Sequence, residues 1–164
     1  MLIRSFVRDG VPRPPDSISE MELLPGVANA CSDLREAGFH LICVTNQPDI
    51  ARGTASAVLV AELNEHLRTE LRLDAVLMCP HDDVDDCSCR KPRPGMLLEA
   101  ADRFELDLTR SVMVGDRWRD IEAGRRAGCR TVFVQRGYAE REPEDPDLVV
   151  DELSDAVPWI LFRA

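Results

Sequence analysis

The feature that most constrains the fold is an alternation of short, continuously apolar segments with amphipathic segments of helical length. Apolar runs without polar alternation are typical of strands buried on both faces, as in a parallel sheet covered by helices on both sides. The chain is therefore predicted to be an α/β protein. The predicted strands are 2–7, 40–45, 75–79, 111–116 and 130–134, the predicted helices are 25–39, 55–72, 95–105 and 118–127, and 148–163 is predicted to be a short strand leading into a terminal helix.

Length and composition indicate one globular domain spanning 1–164. The chain has 164 residues, of which 45% are hydrophobic and 30% charged, and no apolar run approaches the ~20 residues of a membrane-spanning helix. The N-terminus also lacks the pattern of a signal peptide, so a cytoplasmic location is expected. The net charge of −10 argues against nucleic-acid binding, which needs a basic face. A phosphorylated small molecule remains a suitable ligand.

Polar residues follow several of the predicted strands, where ligands of parallel sheets bind. Carboxylates, a hydroxyl and a lysine that meet at such an edge can hold Mg²⁺ and a phosphoryl group, because oxygen ligands suit Mg²⁺ and the cationic donors neutralise the phosphoryl oxygens. The segments concerned are Arg8-Asp9-Gly10, Thr45-Asn46-Gln47 and Gly115-Asp116-Arg117, together with Lys91 in the loop before the helix at 95.

Four of the chain's cysteine and histidine residues are clustered in the polar loop 79–95. Cys79, His81, Cys87 and Cys89 supply three sulfurs and one imidazole, which matches the donor set of a closed tetrahedral zinc site. With all four ligands from protein, no position is open for catalysis, so this zinc would be structural. The alternative is a reduced, cysteine-rich loop without metal. The remaining three cysteines are expected to be small buried hydrophobes.

Three stretches carry a resemblance to a known family. They are VTNQPDIARG (44–53), CPH with CSCRKPRPGM (within 79–96) and MVGDRWRDIEAGRRAG (113–128). The chain resembles the haloacid dehalogenase superfamily of phosphatases, and within it the branch of D-glycero-D-manno-heptose 1,7-bisphosphate and histidinol phosphate phosphatases. The resemblance covers about residues 3–137 and implies a Rossmann-like sheet, no large cap domain, a zinc-binding loop and a monomer. It also implies a Mg²⁺-dependent phosphatase of sugar phosphates in carbohydrate metabolism.

The same resemblance implies a role for each site residue. Asp9 would be the general acid and base, Thr45 and Lys91 would hold the phosphoryl group, and Asn46, Arg52 and Arg90 would face the substrate. Asp116 would hold Mg²⁺ together with Asp9, and Asp120 would support it. Arg52 and Arg90 also offer positive charge for a second phosphate, which favours a bisphosphate over histidinol phosphate, the alternative substrate.

One position departs from the family pattern. The first strand of the superfamily ends in Asp-x-Asp-Gly, whose first Asp attacks phosphorus, and here that tetrad is Val7-Arg8-Asp9-Gly10. Valine removes both the nucleophile and one oxygen ligand for Mg²⁺, and the loss of a nucleophile commonly costs several powers of ten in rate. Three explanations stay open: a pseudophosphatase that binds a ligand or partner, an altered form of an active enzyme, or another group in place of the aspartate. Whether this chain is an enzyme is therefore left undecided by its sequence.

Overall fold

The computed structural model describes residues 1–4, 6–8, 11–13 and 15–163, with 6–8 and 11–13 described by their backbone alone. The strands are β1 (Phe6–Arg8), β2 (Val11–Arg13), β3 (Ile42–Asn46), β4 (Ala75–Cys79), β5 (Val112–Gly115), β6 (Arg130–Val134) and β7 (Leu148–Val150). The α-helices are α1 (Val27–Glu36), α2 (Pro48–Ala51), α3 (Ala57–Glu70), α4 (Gly95–Phe104), α5 (Trp118–Ala127) and α6 (Leu153–Arg163). Short 3₁₀ helices span Ile18–Glu20, Asp83–Asp85 and Leu108–Arg110.

The parallel pairing expected from the apolar strands is confirmed. Strand β3 pairs in parallel with β4, so that Thr45 lies beside Met78 and Asn46 beside Cys79. Strand β6 lies between β5 and β7 and is parallel to both. The carboxyl ends of neighbouring parallel strands therefore lie side by side, which places the residues that follow β3 next to those that follow β4.

The N-terminal segment differs from the expectation of one parallel strand over 2–7 and a proline-rich loop over 11–15. Ile3 forms an isolated antiparallel bridge with Leu23, and β1 pairs antiparallel with β2. In that register Arg8 lies opposite Val11. A partner strand that is close in sequence thus competes with parallel pairing, which depends on distant partners.

Among the described residues, the strands pair as three sheets, β1–β2, β3–β4 and β5–β6–β7, rather than as one sheet. The helices and these sheets enclose two hydrophobic clusters. In α1, buried Val27, Ala30 and Leu34 follow the spacing of one helix face and pack in a cluster that includes Ile160 of α6 and Val132 of β6. The second cluster contains Leu77, Cys79, Met96 and Ala100 and so joins β4 to α4. Within the described ranges, no helix is long and apolar enough to cross a membrane.

Helix α5 lies unusually close to the strands beneath it. A Cβ atom added at Gly124 would be 2.6 Å from Cβ of Met113 and 3.0 Å from Cγ2 of Thr131, so only glycine fits this contact. The helix begins two residues after Asp116 and ends at Ala127, and the next residue, Gly128, has a φ of +83°, which favours glycine. This close packing brings the first turn of α5 to the carboxyl end of β5.

Candidate active site

Lys91 and Asn46 meet at the carboxyl end of β3. The side-chain amide of Asn46 donates from Nδ2 to the carbonyl of Lys91 over 3.0 Å, and its Oδ1 accepts from the backbone N–H of Lys91 over 3.1 Å. Lys91 in turn donates from Nζ to the carbonyl of Val44 over 2.6 Å. Both of these predicted site residues therefore lie together, and the paired amide contacts hold the backbone of Lys91 against the strand end.

The ammonium of Lys91 is paired with Asp120 in the first turn of α5. Lys91 Nζ lies 2.6 Å from Asp120 Oδ1, and the two residues are only 8% and 7% exposed. The other carboxylate oxygen of Asp120 accepts from the backbone N–H of Arg117 over 3.1 Å, which caps the helix start. Gly115 leaves room for this arrangement, because a Cβ there would lie 2.2 Å from Cβ of Asp120.

Asp116 follows β5 directly and is nearly buried, with 12% of its side chain exposed. Its Oδ2 lies 2.8 Å from the α-ammonium of Met1 and accepts from the hydroxyl of Tyr138 over 3.1 Å. Burial alone would raise the pKa of this carboxyl group, but the ammonium charge, the hydroxyl and Arg117 hold the pKa below its usual value. Asp116 is therefore an anionic, ordered carboxylate.

The structure describes the other predicted catalytic positions unequally: Thr45 with its side chain, Val7 with its backbone only, and Asp9 not at all. Thr45 is the penultimate residue of β3, and its Oγ1 accepts from Gln47 Nε2 over 3.3 Å. Asp9 lies outside the described residues, and Val7 is described only by its backbone, opposite Pro12 in the β1–β2 pair. The roles expected for these residues stay predictions.

Arg52 and Arg90 are held by two neighbouring carboxylates of loop 79–95. Arg52 makes a bidentate contact with Asp82, at 2.6 and 2.8 Å, and Arg90 donates from Nε to Asp83 over 2.7 Å. Asp82 also lies 3.6 Å from the guanidinium of Arg90. Both guanidinium groups are therefore bound to loop 79–95, and their predicted contact with substrate stays a prediction.

Sequence reasoning missed two contributors to this region. Arg119 of α5 reaches Asp83 over 3.1 Å and extends the arginine network, and Tyr138 contacts Asp116. Both could have been found by their position: Arg119 lies in the first turn after the Gly-Asp motif, and Tyr138 follows β6, whose carboxyl end is next to that of β5.

The four-residue cluster expected to bind zinc is assembled. The ligand atoms of Cys79, His81, Cys87 and Cys89 lie within 4.8 Å of one another. The sulfur of Cys89 is 3.1 Å from that of Cys79 and 3.5 Å from that of Cys87, and His81 Nδ1 is 3.4 Å from it. Sulfurs around a tetrahedral zinc are ~3.8 Å apart, as follows from a Zn–S length of ~2.3 Å. A small expansion would therefore admit the ion, so the donor set and its spacing fit zinc.

The thiols of Cys87 and Cys89 differ in pKa. Burial opposes ionisation of Cys87, but hydrogen bonds from the backbone N–H groups of Arg90 and Cys89 and from the neighbouring thiols lower its pKa to about 7. Burial and the hydrogen bonds and charges of the other two thiols raise the pKa of Cys89 to about 12. Burial also raises the pKa of Cys79, so Cys87 is the thiol of this cluster that ionises most readily.

Helix α4 ties this cluster to Lys91. The helix begins at Gly95, where a Cβ would lie 2.4 Å from the carbonyl oxygen of Ser88. Cys79 is completely buried at the end of β4, and its carbonyl accepts from the backbone N–H of Gln47 over 2.8 Å. Lys91 therefore lies in the short connection between Cys89 of the cluster and Gly95 at the start of α4.

Comparison with known proteins agrees with this geometry. Residues 88–156 match a family model described as HAD-hydrolase-like. A solved structure of a D,D-heptose 1,7-bisphosphate phosphatase from B. bronchiseptica, complexed with magnesium and phosphate, has 31% identity, covers 93% of both chains and superposes with a TM-score of 0.80. A solved structure of a putative HAD-like phosphatase from Mesorhizobium loti has 34% identity, a TM-score of 0.74, and covers 89% of this chain and 77% of that one. Fold and site thus define the class as haloacid dehalogenase-like hydrolases.

Sequence relatives narrow the class further. A D-glycero-D-manno-heptose-1,7-bisphosphate 7-phosphatase from Thermosynechococcus vestitus is 37% identical over 166 residues, covering 87% of this chain and 85% of the relative. A D-glycero-beta-D-manno-heptose-1,7-bisphosphate 7-phosphatase from Yersinia pestis is 37% identical over 162 residues, covering 89% and 86%. The chain belongs to the heptose 1,7-bisphosphate 7-phosphatase family of haloacid dehalogenase-like proteins.

Proposed function

We propose that the chain binds a phosphorylated sugar at the carboxyl ends of strands β3 and β5, as a phosphatase of the heptose 1,7-bisphosphate type. The observation that carries this proposal is the placement of Lys91. Its ammonium has three N–H donors, of which Val44 and Asp120 take two. Among the described residues the third donor has no partner, so it is available to a phosphoryl oxygen. Thr45 and Asn46, at the end of strand β3, would bind the other oxygens of the same phosphoryl group.

A magnesium ion would be held by Asp116. This carboxylate is anionic and nearly buried, and carboxylate oxygen is the ligand that Mg²⁺ prefers. When bound, the ion would neutralise charge on the phosphoryl oxygens. Asp120 would support the site rather than ligate the ion, because its two oxygens are bound to Lys91 and to the backbone of Arg117.

Hydrolysis in this chain depends on position 7. With aspartate there, its carboxylate would attack phosphorus and the bond to the leaving alcohol would break, while Asp9 would give the alcohol its proton. Asp9 would then take a proton from the water molecule that attacks the aspartyl phosphate and releases phosphate. Valine has no attacking oxygen, so water is the remaining nucleophile, with Asp9 taking its proton and the leaving alcohol receiving one. We therefore expect turnover to be several powers of ten below that of an aspartate-bearing site.

A second candidate function is a catalytically silent module that binds a phosphorylated ligand. The observation that favours it is the combination of Val7 with an assembled Lys91, Asn46 and Asp120. Binding requires the lysine, whereas covalent catalysis requires the missing carboxylate. Phosphate release from substrate separates the two functions.

The decisive experiment measures Mg²⁺-dependent phosphate release from heptose 1,7-bisphosphate and from histidinol phosphate. The unsubstituted chain is compared with Val7→Asp and with Val7→Asn, a control of matching shape that lacks the carboxylate. We expect release only from Val7→Asp, and more from the bisphosphate. Rapid release by the unsubstituted chain would refute the disabling effect of Val7. Silence of all three proteins, together with no binding of either ligand by calorimetry, would refute the proposed site.

We further propose a structural zinc ion at Cys79, His81, Cys87 and Cys89. The convergence of four soft or borderline donors supports it. Metal analysis of the purified chain is expected to give one zinc per chain, and Cys87→Ser to reduce that content. Cys129→Ser is the control, because Cys129 lies outside the cluster. Equal zinc content in both variants would contradict the assignment. The cytoplasmic location and the monomeric state remain predictions.

A further inference from the structure

The segment that follows β6 is fastened to the start of α5 by several contacts. Glu140 forms an ion pair with Arg117, and the guanidinium of Arg141 lies 3.7 Å from the ring centroid of Trp118. Further along, the carbonyl of Glu144 accepts from Arg125 over 3.3 Å. The segment 135–142 therefore covers the side of the site next to Asp116, and we call it the covering segment.

Tyr138 projects from this covering segment onto Asp116. Its hydroxyl donates to Oδ2 over 3.1 Å, and its ring lies 5.0 Å from the guanidinium carbon of Arg117. Beside this contact is a cavity of about 40 Å³, lined among others by Asp116, Trp118 and Phe133. A cavity of this size holds one or a few water molecules, and Mg²⁺ usually keeps several of its waters when protein-bound.

We propose that Tyr138 is a positioning residue for Asp116, an inference that rests on the proposed Mg²⁺ site. The carboxylate of an aspartate turns easily about its last torsion, so its two oxygens exchange unless one is held. The hydroxyl of Tyr138, together with the α-ammonium of Met1, holds Oδ2, so that Oδ1 would face the cation. Groups that hydrogen-bond to a metal ligand commonly contribute 10–100-fold in metal affinity.

The Tyr138–Asp116 contact can be separated experimentally from the contacts that hold the covering segment in place. The covering segment has other anchors, the Glu140–Arg117 pair and the Arg141–Trp118 contact, which do not involve Asp116. Removal of the Tyr138 hydroxyl should therefore leave the segment in place while removing the hydrogen bond to Asp116 Oδ2, which then keeps only the α-ammonium of Met1 among the contacts described above. Removal of the Arg141 guanidinium should loosen the segment while leaving the hydroxyl.

The test compares Tyr138→Phe with Arg141→Gln, using the full, zinc-loaded chain. Calorimetric titration with Mg²⁺ gives the dissociation constant, and thermal unfolding without added Mg²⁺ gives the stability. We expect Tyr138→Phe to raise the Mg²⁺ dissociation constant by about 10–100-fold with little change in Tm. Arg141→Gln is expected to lower Tm and to leave the dissociation constant unchanged.

Three outcomes would overturn the inference. If Tyr138→Phe lowers Tm but binds Mg²⁺ as the unsubstituted chain does, Tyr138 only stabilises the fold, and the proposed metal site stands without it. If Asp116→Asn binds Mg²⁺ as tightly as the unsubstituted chain, the metal lies elsewhere. If the unsubstituted chain binds no Mg²⁺, the proposed metal site fails and the positioning role fails with it.

Discussion

The buried pair of Lys91 and Asp120 allows a quantitative test of how the site is held together. Lys91→Met removes the ammonium and keeps a chain of similar length, and Asp120→Asn removes the opposite charge and keeps an oxygen for the N–H of Arg117. Each single change leaves the other ion in a site where the residues are less than 10% exposed. The double variant leaves no unpaired ion.

The expected magnitudes follow from distance and burial. At 2.6 Å and an effective dielectric of ~20, two unit charges attract by roughly 6 kcal/mol, and desolvation offsets a large part of that gain. Each single variant should lose about 3–5 kcal/mol in the free energy of unfolding, because a buried ion stays unpaired. The double variant should lose only about 1–3 kcal/mol, since the main remaining defect is the carbonyl of Val44, which loses its donor.

Urea unfolding at neutral pH and constant zinc measures these losses, with equal m-values required for comparison. The Glu65–Arg68 pair on α3 serves as the control cycle, because its side chains are 63% and 41% exposed and its coupling should be far smaller. If the losses of the two single variants at Lys91 and Asp120 simply add in the double variant, the two charges do not depend on each other. The proposed electrostatic support of Lys91 would then be refuted.

Three further changes test separate contacts. The pKa of Asp116 is lowered in the folded state, so its ionised form stabilises the fold above a carboxyl group's usual pKa of ~4, and this stabilisation is lost as the pH falls through the lower folded-state pKa. The Tm of Asp116→Asn should therefore fall less at acidic pH than the Tm of the unsubstituted chain. An identical fall of Tm in both proteins would contradict this account. Gly115→Ala should lower the free energy of unfolding by at least about 1–3 kcal/mol, because its Cβ would overlap Asp120, and an unchanged urea midpoint would show that the helix start can move. Asp74→Asn should destabilise the fold, because Asp74 accepts from Leu41 N over 2.7 Å and pairs with an arginine of α1; thermal unfolding as stable as that of the parent chain would exclude this role.

Much of the α/β framework could be predicted from local pattern. Strands β4 and β6 and helix α5 occupy the predicted ranges, and α1, α3 and α4 end within three residues of the expected limits. These elements have strong periodicity or clear end signals such as Gly128. The four-residue helix α2 was not expected, because so short a segment has no periodicity to detect.

The N-terminal segment shows where local pattern is insufficient. Residues 2–7 are as apolar as the other predicted strands, yet β1 pairs with β2, within the following residues that were expected to form a loop. Apolar character predicts a strand but carries no information about which strand will be its neighbour. A nearby partner costs less chain entropy to reach than a distant one.

The sequence by itself determined the chemical inventory: three cysteines and a histidine for a metal, a lysine and carboxylates for a phosphoryl group, and a valine where the family has its nucleophile. Residue types and spacing are local properties, and they suffice to name such chemistry. Only the tertiary structure decided which groups neutralise one another, pairing Lys91 with Asp120 and Tyr138 with Asp116. Those pairs join residues that lie 29 and 22 positions apart, and burial sets their strength. Distance and burial arise only when the helices pack on the sheet.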